Sequence, residues 1–137
     1  STMNIEEGNK IITDFMGYTI EDKSDDKLKW FSGRCWSPFR EDGWGCASQN
    51  RDWVESQMYW GKDFHKDWRW LMPVIEKIEK QGTIIQLSFS GITNCKITVG
   101  NFKEPIITVA NTESQDSMEA IYLAVIDYIK WYNDKNL

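Results

Sequence analysis

The hydrophobic period of this chain changes twice, at Gly82 and again near Asp116, and those changes restrict its architecture more than any other feature. From Trp68 to Gln81 the apolar residues Leu71, Val74, Ile75 and Ile78 recur at helical steps of three and four. From Thr83 the step becomes two. Ile85, Leu87 and Phe89 alternate with Gln86, Ser88 and Ser90, and past Gly91 the residues Cys95, Ile97 and Val99 alternate with Asn94, Lys96 and Thr98. This pattern predicts two antiparallel strands joined at Ser90-Gly91, then a Gly100-Asn101 turn and a third strand over 106–110, with Pro105 at its leading edge. After Asp116-x-x-Glu119, a capping-box-like start, Met118, Ile121, Tyr122, Val125, Ile129 and Tyr132 return to helical spacing.

The N-terminal third adds a helix over 4–16. Ile5, Ile12, Phe15 and Met16 fall on one side, Glu6 and Glu7 suit the first turn, Thr2 or Asn4 serves as N-cap, and Gly17 ends it in a left-handed conformation. A short strand is expected over 18–20. Pro73 leaves two alternatives for the second helix: an irregular turn over 68–72 with the regular helix opening at Pro73, or one helix kinked there. Gly82 terminates it, and Lys77 and Lys80 complement its dipole. The order predicts an α+β fold, an antiparallel β-meander of three to five strands packed with about three helices in a two- or three-layer sandwich. It is expected as a single domain over 1–137 with a Trp-rich insertion at about 28–66.

Composition narrows the function classes. With 137 residues, 41% of them hydrophobic, the chain can bury one ordinary core. A net charge of −5, with lysines and acids interleaved as in EDKSDDKLK and IEKIEK, opposes binding to a phosphate backbone, so no nucleic-acid partner is expected. No apolar run is long enough to span a bilayer, and STMNIEEGNK has neither the basic nor the apolar part of a secretory signal. Three cysteines, Cys35, Cys46 and Cys95, fit free thiols of a reducing compartment, so a cytoplasmic protein without a membrane partner is expected.

The pieces EEGNKIITDFMGY, FHKDWRWLMPVIEKIEKQG and SMEAIYLAVIDYIKWYN, in that order, resemble a group of small proteins of commensal bacteria and their prophages. In that group a helix ends in Met-Gly-aromatic, a His-x-x-Trp-x-Trp-Leu-Met-Pro-Val-x-x-Lys-Ile segment follows, and the chain closes on Ile-Lys-Trp-Tyr-Asn. Here those positions are His65, Trp68, Trp70, Leu71, Met72, Pro73, Val74, Lys77 and Ile78, then Ile129 to Asn133. The resemblance spans about half of the chain and leaves out residues 30–62. It implies an α/β/α-like sandwich and a phage or prophage setting, and it carries no catalytic residues.

Asp42-Gly43-Trp44-Gly45-Cys46-Ala47 resembles the nucleophile motif of cysteine proteases that process ubiquitin-like modifiers. In those enzymes a Gly-Trp-Gly-Cys turn leads into a helix whose N-terminus lowers the thiol pKa. The required base has one source, His65, the single histidine, with Asp63 or Asp67 to orient it. The later Asp-x-His element of that family is missing. Against the hydrolase stands the plainer reading of Cys46 as a small thiol in a glycine-rich turn. A zinc site from Cys35, Cys46 and His65 lacks a Cys-x-x-Cys pair and a second histidine, so no metal or other cofactor is expected. Cys95 alternates with core residues and reads as a buried small hydrophobe. Carboxylate pairs such as Asp52 and Glu55 carry no information among 21 acids, and Gly43-Trp44-Gly45 lacks the lysine of a phosphate loop.

All but one of the eight tryptophans fall between Trp30 and Trp70. Trp68 belongs to a helix start and reads as packing. Trp30, Trp36, Trp44, Trp53 and Trp60 lie in a polar, glycine-containing segment without a clean period, where indoles either anchor the segment or present a surface that stacks on peptide side chains or sugars. The expected function is a non-enzymatic accessory protein that meets a protein partner, or its own second copy, through Trp36, Trp44, Trp53 and Trp60. The alternatives are a small thiol hydrolase using Cys46 and His65, and a carbohydrate-binding module.

Overall fold

A computed structural model describes residues 4–17, 20–22, 30–36, 44–50, 63–101 and 103–136, with 20–22, 30–36, 44–50 and 101 described in backbone alone. The chain is an α+β protein, with three helices and antiparallel sheets among the described residues, as the changes of period predict. It divides into two compact units, Ser1–Asp63 and Phe64–Leu137.

In the first unit, helix α1 spans Ile5–Met16. Asn4 caps it, its side chain accepting the Glu6 N–H at 2.8 Å, and Gly17 closes it at φ 73. The buried face differs from the expected stripe. Gly8, Asn9, Ile12, Thr13 and Phe15 are buried, whereas Ile5 is exposed. Thr13 joins this face because its hydroxyl donates back to the Asn9 carbonyl at 2.7 Å, so it needs no water. The sheet is β1 (Ile20–Asp22), β2 (Trp30–Trp36) and β3 (Trp44–Asn50), antiparallel in that order. Of the strand expected over 18–20, Ile20 falls in β1, and 18 and 19 lie outside the described residues. Strands β2 and β3 come from the Trp-rich segment, where Gly33 and Gly45 interrupt the alternation that would have marked them as strands.

The second unit opens with helix α2, Trp68–Glu79. Asp67 caps it, accepting the Arg69 N–H at 2.9 Å, so the helix begins before Pro73 and runs through it. The alternative in which Pro73 opens the regular helix is therefore set aside. The ring removes one i to i−4 donor. The apolar stripe Leu71, Val74, Ile75 and Ile78 is buried as expected. At the far end Lys80 N–H bonds to Glu76 O, Gln81 N–H to Ile78 O, and the Thr83 hydroxyl also donates to Ile78 O at 2.9 Å. Gly82, at φ 78, then turns the chain directly into the sheet.

That sheet is the expected meander: β4 (Thr83–Phe89), β5 (Thr93–Asn101) and β6 (Glu104–Ser114), antiparallel in the order β4-β5-β6. Phe89 pairs with Thr93 across a turn whose Gly91 has φ 81. The third strand is longer than the predicted 106–110: Glu104 pairs with Asn101, so β5 runs through the expected Gly100-Asn101 turn, and Thr112 and Ser114 also pair with β5. Ile97 pairs with Ala110 and Thr98 with Thr108, so Val109 is left as a bulge. Helix α3, Ser117–Lys135, packs on β6 and β5. Eight of its residues from Ala120 to Ile129 are buried, more than a single stripe. It meets both the sheet and α2, which accounts for burial on more than one side.

Cys95, Ile97 and Ala110 form the sheet side of the core, and Cys95 is 1% exposed. The row Ile85, Leu87, Phe89 was predicted to join them as one apolar face. Only its first member is partly covered, since Leu87 is 44% and Phe89 66% exposed. The physical reason is placement: α3 lies over the β5–β6 half of the sheet.

Candidate functional site

Of the tryptophans expected to bind, Trp36 and Trp44 fall in the first unit's sheet. They are register partners, the last residue of β2 opposite the first of β3, at one end of the ladder. Trp53 and Trp60 lie outside the described residues. One backbone ladder thus brings together two residues that are eight apart in sequence, a relation that no periodicity displayed.

Cys46 sits in the middle of β3, opposite Arg34, and Cys35 is opposite Gly45 and Ile20. The strand runs from Trp44 to Asn50, so the turn into a helix that the protease motif supplies after its cysteine is replaced here by extended backbone. Among the described residues Cys46 lies within a strand and not at a helix N-terminus, the position that favours a thiolate.

His65 belongs to the second unit, in the turn before α2, with its ring edge-on to Tyr122 at 6.1 Å between centroids. Its neighbour Phe64 is fully buried and meets Trp70 edge-on at 5.5 Å. Asp67, considered as an orienting group for the imidazole, is engaged with Arg69: Oδ1 accepts the backbone N–H at 2.9 Å and Nε at 3.3 Å, and Oδ2 pairs with a guanidinium nitrogen at 2.9 Å. The side-chain hydrogen bond from Arg69 holds the carboxyl below its ordinary pKa. His65 therefore stands in a packing and capping environment. Among the described residues no group of three His, Cys, Asp or Glu could hold a metal ion.

Cys95 is the thiol whose surroundings are described in full. Burial pushes its pKa up to about 11, opposite to what a nucleophile needs.

Two features went unnoticed in the sequence. The first is a cavity of about 480 Å³ at the C-terminal end of α3, whose lining includes Gln81, Val99, Ile107, Trp131, Tyr132 and Lys135. Tyr128 forms its inner wall, 1% exposed, stacked at 21° on Tyr132 and tilted against Trp131. Lys135 Nζ lies 5.1 Å from the centre of the Trp131 ring, within cation–π range. The aromatic ending Ile-Lys-Trp-Tyr-Asn was the available signal, and it reads as core because tyrosine and tryptophan repeat at helical steps.

The second is the outer edge of β4. Among the described residues no strand pairs with it, and its seven residues carry no charge. Ile84, Leu87 and Phe89 are all exposed along it. An open, neutral, apolar edge offers both backbone donors and hydrophobic side chains to another chain.

Among the described residues no helix is long and apolar enough to cross a membrane. No protein-family model, curated protein or solved structure matches the chain.

Proposed function

We propose that this protein is a non-catalytic, protein-binding accessory factor of phage or prophage origin, acting in the cytoplasm, and that its tryptophan-bearing segment supplies the contact. The observation that carries this reading is the Trp36–Trp44 register pair. Two of the largest apolar residues stand opposite each other at the end of a hairpin, the arrangement from which a compact hot spot is built. Trp53 and Trp60 extend the surface on this reading. The resemblance of the flanking helices to the prophage group supplies the setting. The strand context of Cys46 gives the thiol hydrolase no added support.

The test compares wild-type protein with Trp36→Ala, Trp44→Ala and the double variant in quantitative capture from host extract, with untagged wild-type protein as competitor. A partner displaced by the competitor and lost with the double variant supports the reading, provided the variants keep the wild-type circular dichroism. An unchanged set of displaceable partners would sink it.

A further inference from the structure

The two edges of the second unit's sheet are built differently. Strand β6 carries the devices that keep an edge solitary: Glu104 and Pro105 at its start, Glu113 near its end, and register shifts against β5. Strand β4 carries none of them. Its sequence, Thr-Ile-Ile-Gln-Leu-Ser-Phe, has no charge, no proline and an unbroken register with β5 from Thr83↔Val99 to Phe89↔Thr93.

The same seven residues are self-complementary. An antiparallel pair related by a two-fold axis at Gln86 sets Ile85 opposite Leu87 of the second copy, Thr83 opposite Phe89, Ile84 opposite Ser88, and Gln86 opposite itself. Opposed residues of an antiparallel pair share a face, so the Leu87 and Phe89 rows of the two copies continue one another. Both copies keep their helix-bearing face on the same side. The net charge of −5 makes most surface contacts between copies repulsive, and β4 is a place where two copies meet without opposing charges.

We propose that β4 is a homodimer interface, in which two copies pair through this edge to form a continuous six-stranded sheet of order β6-β5-β4-β4-β5-β6. Strand β4 belongs to the second unit and the Trp36–Trp44 pair to the first, and the inference stands without the function proposed above. Pairing satisfies the outward N–H and C=O groups of β4 and sets Leu87 and Phe89 beside Ile85 and Thr83 of the second copy.

Charge substitution at the two-fold axis tests it with the full chain. Gln86 is exposed, so Gln86→Lys and Gln86→Glu leave the core intact, and thermal melts followed by circular dichroism check this. Analytical ultracentrifugation at micromolar concentration is expected to show a dimer for wild type. Each single variant places like charges opposite each other and should weaken association roughly two- to fivefold. An equimolar mixture of the two variants should restore it, because the opposed charges then attract. Gln86→Lys also faces Lys96 in its own sheet, so if that variant melts early, Gln86→Glu alone and a Gln86→Cys cross-link mapped between the two copies carry the test. A wild-type monomer throughout, a dimer indifferent to both substitutions, or a different polypeptide occupying β4 in place of the second copy overturns the proposal.

Discussion

The Tyr128 hydroxyl donates to the Gln81 side-chain oxygen at 2.6 Å, across 47 residues of chain. The bond ties the last helix to the turn between α2 and β4, at the inner wall of the aromatic cavity. Tyr128 is otherwise buried, so its ring brings apolar area and its hydroxyl one directed contact. Tyr128→Phe keeps the ring and removes the bond, and should cost about 1 kcal/mol of unfolding free energy in urea titration. Gln81→Ala in the Tyr128→Phe background should then cost less than it does in wild type. Additive losses would show that the two side chains act separately.

The start of α3 gives a second expectation. Asp116 Oδ1 accepts the N–H groups of Met118 at 3.0 Å and Glu119 at 3.4 Å. The return half of the capping box runs through a third residue. The Asp116 N–H donates to the Ser114 hydroxyl at 3.1 Å, and that hydroxyl donates to Glu119 Oε1 at 3.2 Å. Asp116→Ala should lower stability by about 1 kcal/mol and Ser114→Ala by less. Chemical denaturation measures both, and an equal loss from Ser114→Ala would show that the relay, rather than the cap, holds the helix start.

Much of the second unit was legible because its elements are decided locally. Gly82 takes the left-handed backbone that turns the chain from α2 into β4, and Asp116 starts a helix where side-chain oxygens meet free N–H groups. The alternation of Cys95 and Ile97 placed them in the core, where they are. Leu87 and Phe89 show the limit of that reasoning. Their alternation identifies a face, but whether a helix lies over it depends on where α3 docks, which residues 83–89 do not encode. Pro73 shows another limit: the Asp67 cap starts the helix early enough for it to continue through the ring. The Trp36–Trp44 partnership depends on a register that two glycine-containing strands leave weakly marked, so the sequence named the residues without their pairing.

The buried thiol predicts an alkaline limit. Burial raises Cys95 from 9.0 to about 11, so the folded protein holds this proton while the unfolded chain releases it. The stability tied to the neutral thiol is fully present below the unfolded pKa and is lost as pH climbs from about 9 to about 11. Burial also raises the hydroxyls of Tyr122 and Tyr128, with Tyr132 adding to the effect at Tyr128, and these act in the same direction. Denaturant titrations at neutral pH and near the folded pKa should differ by roughly 2–3 kcal/mol from the thiol alone. In Cys95→Ala that part of the decline should vanish, although the variant starts from lower stability. An identical slope in both proteins would exclude Cys95 as its source. At neutral pH iodoacetamide should label Cys95 only after unfolding.

Gly100 and Gly91 separate two reasons for using glycine. Both have positive φ, 142 and 81, but they differ in the space a β-carbon would meet. At Gly91 nothing lies within 4 Å, so Gly91→Ala carries only backbone strain, about 1 kcal/mol. At Gly100 a β-carbon would stand 2.7 Å from the Ile106 Cα and 2.8 Å from the Pro105 carbonyl oxygen, and backbone on a paired strand cannot move aside alone. Gly100→Ala must therefore separate the ends of β5 and β6 where the register with Glu104 already shifts. It should cost more than Gly91→Ala, on the order of 3 kcal/mol. The same change should alter the cavity that Gly100 and Pro105 help line, seen as a shift in Trp131 emission in a variant keeping that tryptophan alone. Equal melting temperatures for the two alanine variants would mean that the close approach of β6 to Gly100 adds nothing to the strain of its φ.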